Sequence, residues 1–412
     1  MTMNDNRIFN IRAHTEKKKL IISFSISESF SRYFRSHEFR CEYTENIDSI
    51  PYGIAVIPFV CNVLPFVWLT DATLELDELD EDFASCINEL RIGYKSMYPN
   101  LDFKGEIKSK RIKYNTIDKQ YKSISFFSGG VDAFATLIAH IEEHPTLFGI
   151  CGADIKIDNK EGWTIVEEQI AKVSEQFKID AIYCHTNFRE FTNEEALNRF
   201  VTELGANDDW WHGFQHGIGL IGHAAPLAYL YGYKTTYIAS SYTIRERPYI
   251  TCASDPRIDN HVQFCGSIVC HDQFEFNRQD KIKHIVDYCR SHDCKIKLRV
   301  CWRSTDGNNC CKCEKCIRTV FALLAEKEDP KAYGFDDVNL REMKYQLLYK
   351  IKMQPLMLPF WDDIIDRLKE QDKGSTQIEW LRRYNANKLN NNIVKRVMPK
   401  IIKLLKKLNF GK

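Results

Sequence analysis

Apolar residues in the middle of the chain arrive in short unbroken runs, and between the runs they recur every three to four positions. Ile124-Ser125-Phe126-Phe127 and the runs over 146–151, 179–184 and 235–239 have strand length, whereas 164–177 and 219–230 carry the helical period. On 164–177 the residues Ile165, Ile170, Val173 and Phe177 fall near one face, with acidic residues opposite. Continuous apolar strands alternating with helices predict an α/β fold, a parallel sheet covered by helices on both faces. Such sheets bind ligands beyond the carboxyl ends of their strands.

The flanks read differently. Before Tyr121 the pattern predicts strands at 19–27, 54–59 and 66–70, and an amphipathic helix at 81–97 with Phe83, Cys86, Ile87 and Leu90 inward. The charged stretch 102–111 reads as a boundary, so residues 1–120 are expected to form an accessory α+β domain for substrate or partner recognition. The acidic run 75–82 reads as a solvated face. After Glu326 the chain turns helical, around 340–352 and 361–371. It ends in a basic amphipathic helix in which Val394, Val397, Ile401, Leu405 and Leu408 recur at helical spacing among lysines, with a break at Pro399. That tail suits docking onto its own body, a protein partner or a membrane surface. The expected domains are thus 1–120, 121–326 and 327–412.

Length and charge narrow the function. A chain of 412 residues has room for two or three domains. Its 57 Lys and Arg nearly cancel 56 Asp and Glu, so no global basic field marks a nucleic-acid binder. There is no run of about 18 apolar residues, and the polar start of the chain lacks a signal-like apolar segment, so a soluble cytoplasmic protein is expected. The 15 cysteines are spread as buried free thiols would be in a reducing compartment, except where five of them cluster. The chain has no Ser-His-Asp order, His-Glu-x-x-His or Gly-x-Gly-x-x-Gly, so hydrolase and dehydrogenase readings have no foothold.

Two features carry chemistry. Ser128-Gly129-Gly130-Val131-Asp132 joins an apolar strand to a helical stretch beginning at Ala133. Glycines there let the backbone approach an anion closely, and the unpaired N–H groups of a helix start attract it. The second feature is Cys301, Cys310, Cys313 and Cys316, spaced C-x8-C-x2-C-x2-C, with Cys311 inside the array. Thiolates so spaced fold into a knuckle around a tetrahedral cation, and four sulfurs close the shell, which predicts a structural Zn2+ site with an iron–sulfur centre as the alternative. Lys312, Lys315 and Arg318 are expected to offset the thiolate charge. Spacing leaves Cys310 and Cys311 as rivals for the second ligand.

The glycine turn resembles the PP-loop of the ATP pyrophosphatase superfamily, Ser-Gly-Gly-x-Asp-Ser, with Ala133 in the last position. A PP-loop followed by the cysteine quartet is similar to the 7-cyano-7-deazaguanine synthases, over roughly residues 121–326. That resemblance selects Cys310 as the zinc ligand. It implies ATP held by Ser128 to Ala133, Mg2+ held with the help of Asp132, and adenine contacts near Gly152 and Asp154 after the next strand. It also implies adenylation of a carboxylate or amide oxygen, followed by attack of ammonia or an amine. Those synthases carry an Arg-Asn pair in the segment before the third helix, where this chain has His216-Gly217. His216 and Ser240, the latter at another strand end, are further candidate ligand contacts. The substrate is expected to be a small or protein-linked carboxylate, with a homodimer or protein partner through the flanks. Enlarged relatives of this kind also occur in bacterial antiviral defence gene sets. Two other readings are a non-catalytic ATP sensor or scaffold and a tRNA-modifying PP-loop enzyme.

Overall fold

The apolar runs in the middle of the chain become neighbouring strands. The structure, a computed structural model, describes residues 6–115, 120–301, 303–304, 307–374 and 376–391. The basic helix expected over 393–408 lies outside the described residues. Two compact units emerge: the first from Met1–Ser128, Thr136–Ser240 and Thr251–Phe274, the second from Gly129–Ala135, Ser241–Ile250 and Glu275–Lys412. These borders differ from those expected at 120 and 326.

In the first unit the strands are β1 (Arg7–Glu16), β2 (Lys19–Ile26), β3 (Glu38–Tyr43), β4 (Thr73–Leu76), β5 (Leu79–Asp80), β6 (Glu106–Ser109), β7 (Ile112–Lys113), β8 (Gln120–Phe126), β9 (Thr146–Cys151), β10 (Ala181–Thr186), β11 (Tyr233–Ala239), β12 (Gln263–Phe264) and β13 (Ser267–Asp272). Eleven of them form one sheet in the order β12-β13-β11-β8-β9-β10-β3-β2-β1-β4-β6, while β5 pairs with β7. The five from β13 to β10 run parallel. β3 then joins β10 antiparallel, with Thr186 opposite Cys41. The N-terminal residues therefore extend the same sheet, and they share one hydrophobic core with it. β8 lies between β9 and β11, so the chain leaves it in one direction and returns on its other side. The carboxyl end of β8 is thus a topological switch point, the usual place for a ligand in such sheets.

Several sequence expectations need correction. Residues 54–59 and 66–70 are helical: Tyr52–Ala55 and Ile57–Leu69 are helices, and every residue of the latter is buried. A helix apolar all round has the same signature as buried strands, and only its surroundings distinguish them. Pro65 sits inside it, and Phe59 and Phe66 pack against Phe24, Phe34 and Phe191. The charged stretch 102–111 is no boundary, because it contains β6, whose Ile107 pairs with Leu74. The helix expected over 219–230 is broken into His216–Ile221, a tight turn at Gly222–Ala224 and Ala225–Tyr231. Glu81–Met97 is the expected helix, capped by Asp80 accepting from the Phe83 N–H.

The second unit is helical. Arg278–His292 starts at a capping box between Asn277 and Asp280. Glu314–Ala325 and Leu358–Glu370 pack Phe321 edge-on against Trp361, 5.8 Å between centroids. Arg367 grips the buried Glu326 with two contacts of 2.8 Å.

Candidate phosphate and metal sites

The turn after β8 has the backbone that its glycines allow. Gly129 takes φ +74°, in the left-handed region that favours glycine. Helix Val131–Ala139 follows at once, its first turn closed by the Phe134 N–H on Gly130 O at 3.0 Å. In the second unit Gly129 O also accepts the Arg299 N–H at 2.7 Å, which pins the turn. Asp132 occupies the first turn of the helix, where a carboxylate is favoured by the helix dipole.

Asp132 does not face solvent alone. Arg278 Nη2 lies 2.8 Å from one carboxylate oxygen and Lys281 Nζ 3.6 Å from the other, and the lysine is 1% exposed. Arg318, also buried, pairs with Glu314 at 3.0 Å and lies over the Phe360 ring at 4.4 Å. Glu314 in turn accepts from the Trp361 indole at 2.9 Å. Three cations thus face two carboxylates in a largely dry setting. Burial pulls the Arg318 guanidinium below its usual range; Glu314 opposes that shift, Arg278 adds to it, and Asp132 opposes it. Among the described residues, Arg278 Nε and Arg318 Nη1 are buried without a hydrogen-bond partner. Both arginines line a cavity of about 10 Å³, space for one water. Unfilled donors on such cations are costly, and the cavity has room for a water to meet them.

The cysteine cluster has the geometry of a metal knuckle. The Sγ atoms of Cys301, Cys310, Cys313 and Cys316 all lie within 4.8 Å of one another. Cys301 to Cys313 spans 4.0 Å and Cys310 to Cys316 spans 3.9 Å. A tetrahedron with 2.3 Å zinc–sulfur bonds has edges of about 3.8 Å, so the sulfurs stand where zinc needs them. Backbone N–H groups of Ser304, Cys313 and Cys316 point at Cys301, Cys310 and Cys313, orienting the sulfurs. Cys311 is excluded from the group; its φ of +52° turns it aside, and it is buried near the Asp337 backbone. Arg318 pairs with Glu314, so its expected service to the sulfurs is replaced by a place in the cationic cluster.

The remaining candidates are distributed. Gly129, Gly130, Val131, Asp132 and Ala133 belong to the second unit with the cysteine cluster, while Ser128, Gly152, Asp154, His216 and Ser240 belong to the first. Gly152 ends β9 with φ +105°, and a Cβ there would stand 2.0 Å from Thr186 O, so packing alone demands glycine. Asp154 is exposed. The Ser240 hydroxyl is buried and donates to Gln273 O at 2.8 Å. His216 lies edge-on to Trp211 at 4.8 Å. Arg278 and Lys281 were not legible as site residues, since a lysine three positions after an arginine reads as a solvated helix face.

Comparison with known proteins leaves these geometries to stand by themselves: no family model, no curated protein and no solved structure matches the chain.

Proposed function

We propose that the chain binds ATP through the turn after β8 and uses it to adenylate a carboxylate or amide oxygen. One observation carries this reading: two arginines, Arg318 buried and Arg278 partly buried, bring positive charge to Asp132 in the first turn of the helix that the glycine turn opens. Amides of the turn bind phosphate oxygens, Arg278 and Arg318 supply positive charge behind its first helical turn, and Asp132 holds Arg278 and Lys281 in place. The substrate oxygen attacks the α-phosphorus, pyrophosphate leaves, and an amine or ammonia then displaces AMP from the activated carbon. Asp132 Oδ1 accepts no hydrogen bond among the described residues but lies 3.6 Å from Lys281 Nζ, so its charge is already met by cations, and Mg2+ would come with the nucleotide, whose phosphate charge it would neutralise. The four sulfurs suit a structural zinc with no open position for substrate.

The test is pyrophosphate release by zinc-loaded protein from ATP and a panel of carboxylates, 7-carboxy-7-deazaguanine among them, with ATP affinity measured in parallel. Turnover that disappears in Asp132→Ala supports the enzyme. Arg318→Met, which removes a buried charge near the turn, is expected to weaken ATP binding about tenfold, or about 1.4 kcal/mol. Absence of ATP binding defeats the whole reading. A second reading, an ATP sensor without turnover, is favoured by Ala133, which removes one hydroxyl from the turn; ATP binding with no pyrophosphate from any carboxylate selects it.

A further inference from the structure

Away from both sites, the first unit gathers a thiol, two imidazoles and a carboxylate. His212 and His216 lie four residues apart where the helix widens, over Trp211–Gln215, with the His216 N–H donating to Trp211 O. Wide turns of this kind recur at functional sites. Two glycines let other segments press against them. A Cβ at Gly213 would stand 2.4 Å from the Tyr98 hydroxyl, and one at Gly217 would stand 2.5 Å from Ala253 O and 2.6 Å from Ser254 Cα. The Ala253 N–H donates to His212 O at 2.8 Å, which fixes the adjoining residue. That residue is Cys252, buried, whose thiol stands against the imidazoles of His212 and His216.

A carboxylate stands behind the first histidine. His212 Nδ1 lies 2.9 Å from one Asp208 oxygen, and the other accepts from Thr251 at 2.8 Å and Tyr98 at 3.1 Å. This holds Nδ1 as the donor and leaves Nε2 for the sulfur. The His212 side chain is 30% exposed, so the centre opens to solvent on that side. His216 Nδ1 is buried and has no hydrogen-bond partner among the described residues. Burial pushes the Cys252 thiol up, but the imidazoles of His212 and His216 outweigh it and bring it down to about 7. Tyr94, Tyr98 and, through His216, Asp259 are the other titratable groups facing this centre. Among the described residues, the four clustered cysteines are the group drawn together at metal-ligating distances, and Cys252 with its histidines is not.

We propose that Cys252 is a nucleophile, with His212 as its base and Asp208 as positioning residue, which accepts an acyl group from an activated carboxylic acid derivative such as a thioester or mixed anhydride. His212 takes the thiol proton; the sulfur pair forms a bond to the carbonyl carbon; the leaving group departs with its electron pair and recovers the proton from His212. The product is an S-acyl cysteine, which an amine or water then cleaves. Nothing in this step uses the nucleotide reading, and each stands if the other fails.

The test treats full-length zinc-loaded protein with p-nitrophenyl acetate, and separately with iodoacetamide, over a pH series, and locates each adduct by peptide mass spectrometry. The expected result is an acetyl group on Cys252, a nitrophenolate burst absent in Cys252→Ser, and alkylation rising through pH about 7. In His212→Ala, with thermal unfolding confirming a folded chain, Cys252 labelling at neutral pH falls about tenfold or more. Asp208→Asn, which keeps the shape, moves the pH profile upward. The proposal is overturned if wild-type Cys252 stays unacetylated, or if its alkylation rises only near the ordinary thiol value of about 8.5.

Discussion

The cysteine quartet and the Cys252 centre use the same atom in opposite ways. In the quartet, sulfurs surround one point at 3.9–4.0 Å across the paired ligands, and backbone N–H groups aim at them. Metal, once bound, is enclosed there, and the sulfur has no partner left to attack. At Cys252 one sulfur meets two imidazoles, and an aspartate braces one of them. A lone thiolate with nitrogen neighbours remains a nucleophile. What distinguishes a ligand from a reagent is therefore the company of the sulfur, not its burial, since Cys316 and Cys252 are both buried.

The largest expected effect separates the two on stability. Cys316→Ser removes a fully buried ligand and should lower stability by about 4 kcal/mol or more with loss of bound zinc, while Cys311→Ser keeps the zinc; metal content and thermal unfolding read both. If the two variants behave alike, the quartet is not a metal centre. Next comes Gly217→Ala, whose Cβ collides with Ala253 O. It should cost about 1–3 kcal/mol in denaturant unfolding and slow Cys252 alkylation at neutral pH, with zinc unchanged. His216→Ala is milder: it removes one of two imidazoles beside the sulfur, so the alkylation midpoint should rise above 7 yet stay below that of a variant lacking His212.

The smallest effect comes from a histidine that has carboxylates but no sulfur. His140 stacks on Tyr237 and lies 2.8 Å from Glu143 and 3.0 Å from Asp272. Burial pulls its pKa down, and the hydrogen bonds from Asp272 and Glu143 outweigh that and raise it. A raised folded-state value means the contribution is present in full below the ordinary histidine pKa and is lost as pH rises through the folded value. Denaturation measured across neutral pH should show stability falling on the alkaline side, and His140→Gln should flatten that limb. An unchanged slope would remove the pair from the account.

Much of this was legible in the residues and much was not. Strand 146–151 and helix 81–97 follow from local pattern, because each buries one continuous face or carries its own cap. The buried helix Ile57–Leu69 did not, since a segment apolar on every side has no period to read. The cysteine quartet is visible because zinc ligands come from one short segment, with spacing set by a knuckle. Cys252 was passed over because its partners His212 and Asp208 lie about 40 residues earlier, and no fixed spacing links residues brought together by a fold. His216, expected to contact ligand, stands beside that thiol.

By itself the sequence determined what is local: the alternation that builds a parallel sheet, the glycine turn after β8, and a set of thiols close enough along the chain to share a metal. Only tertiary structure decided which charges meet. Arg278, Lys281 and Arg318 converge on Asp132 and Glu314, and Ala253 and Ser254 close on Gly217. Turn and strand preferences are settled within a few residues, whereas desolvation and charge pairing depend on neighbours that the chain supplies from far away.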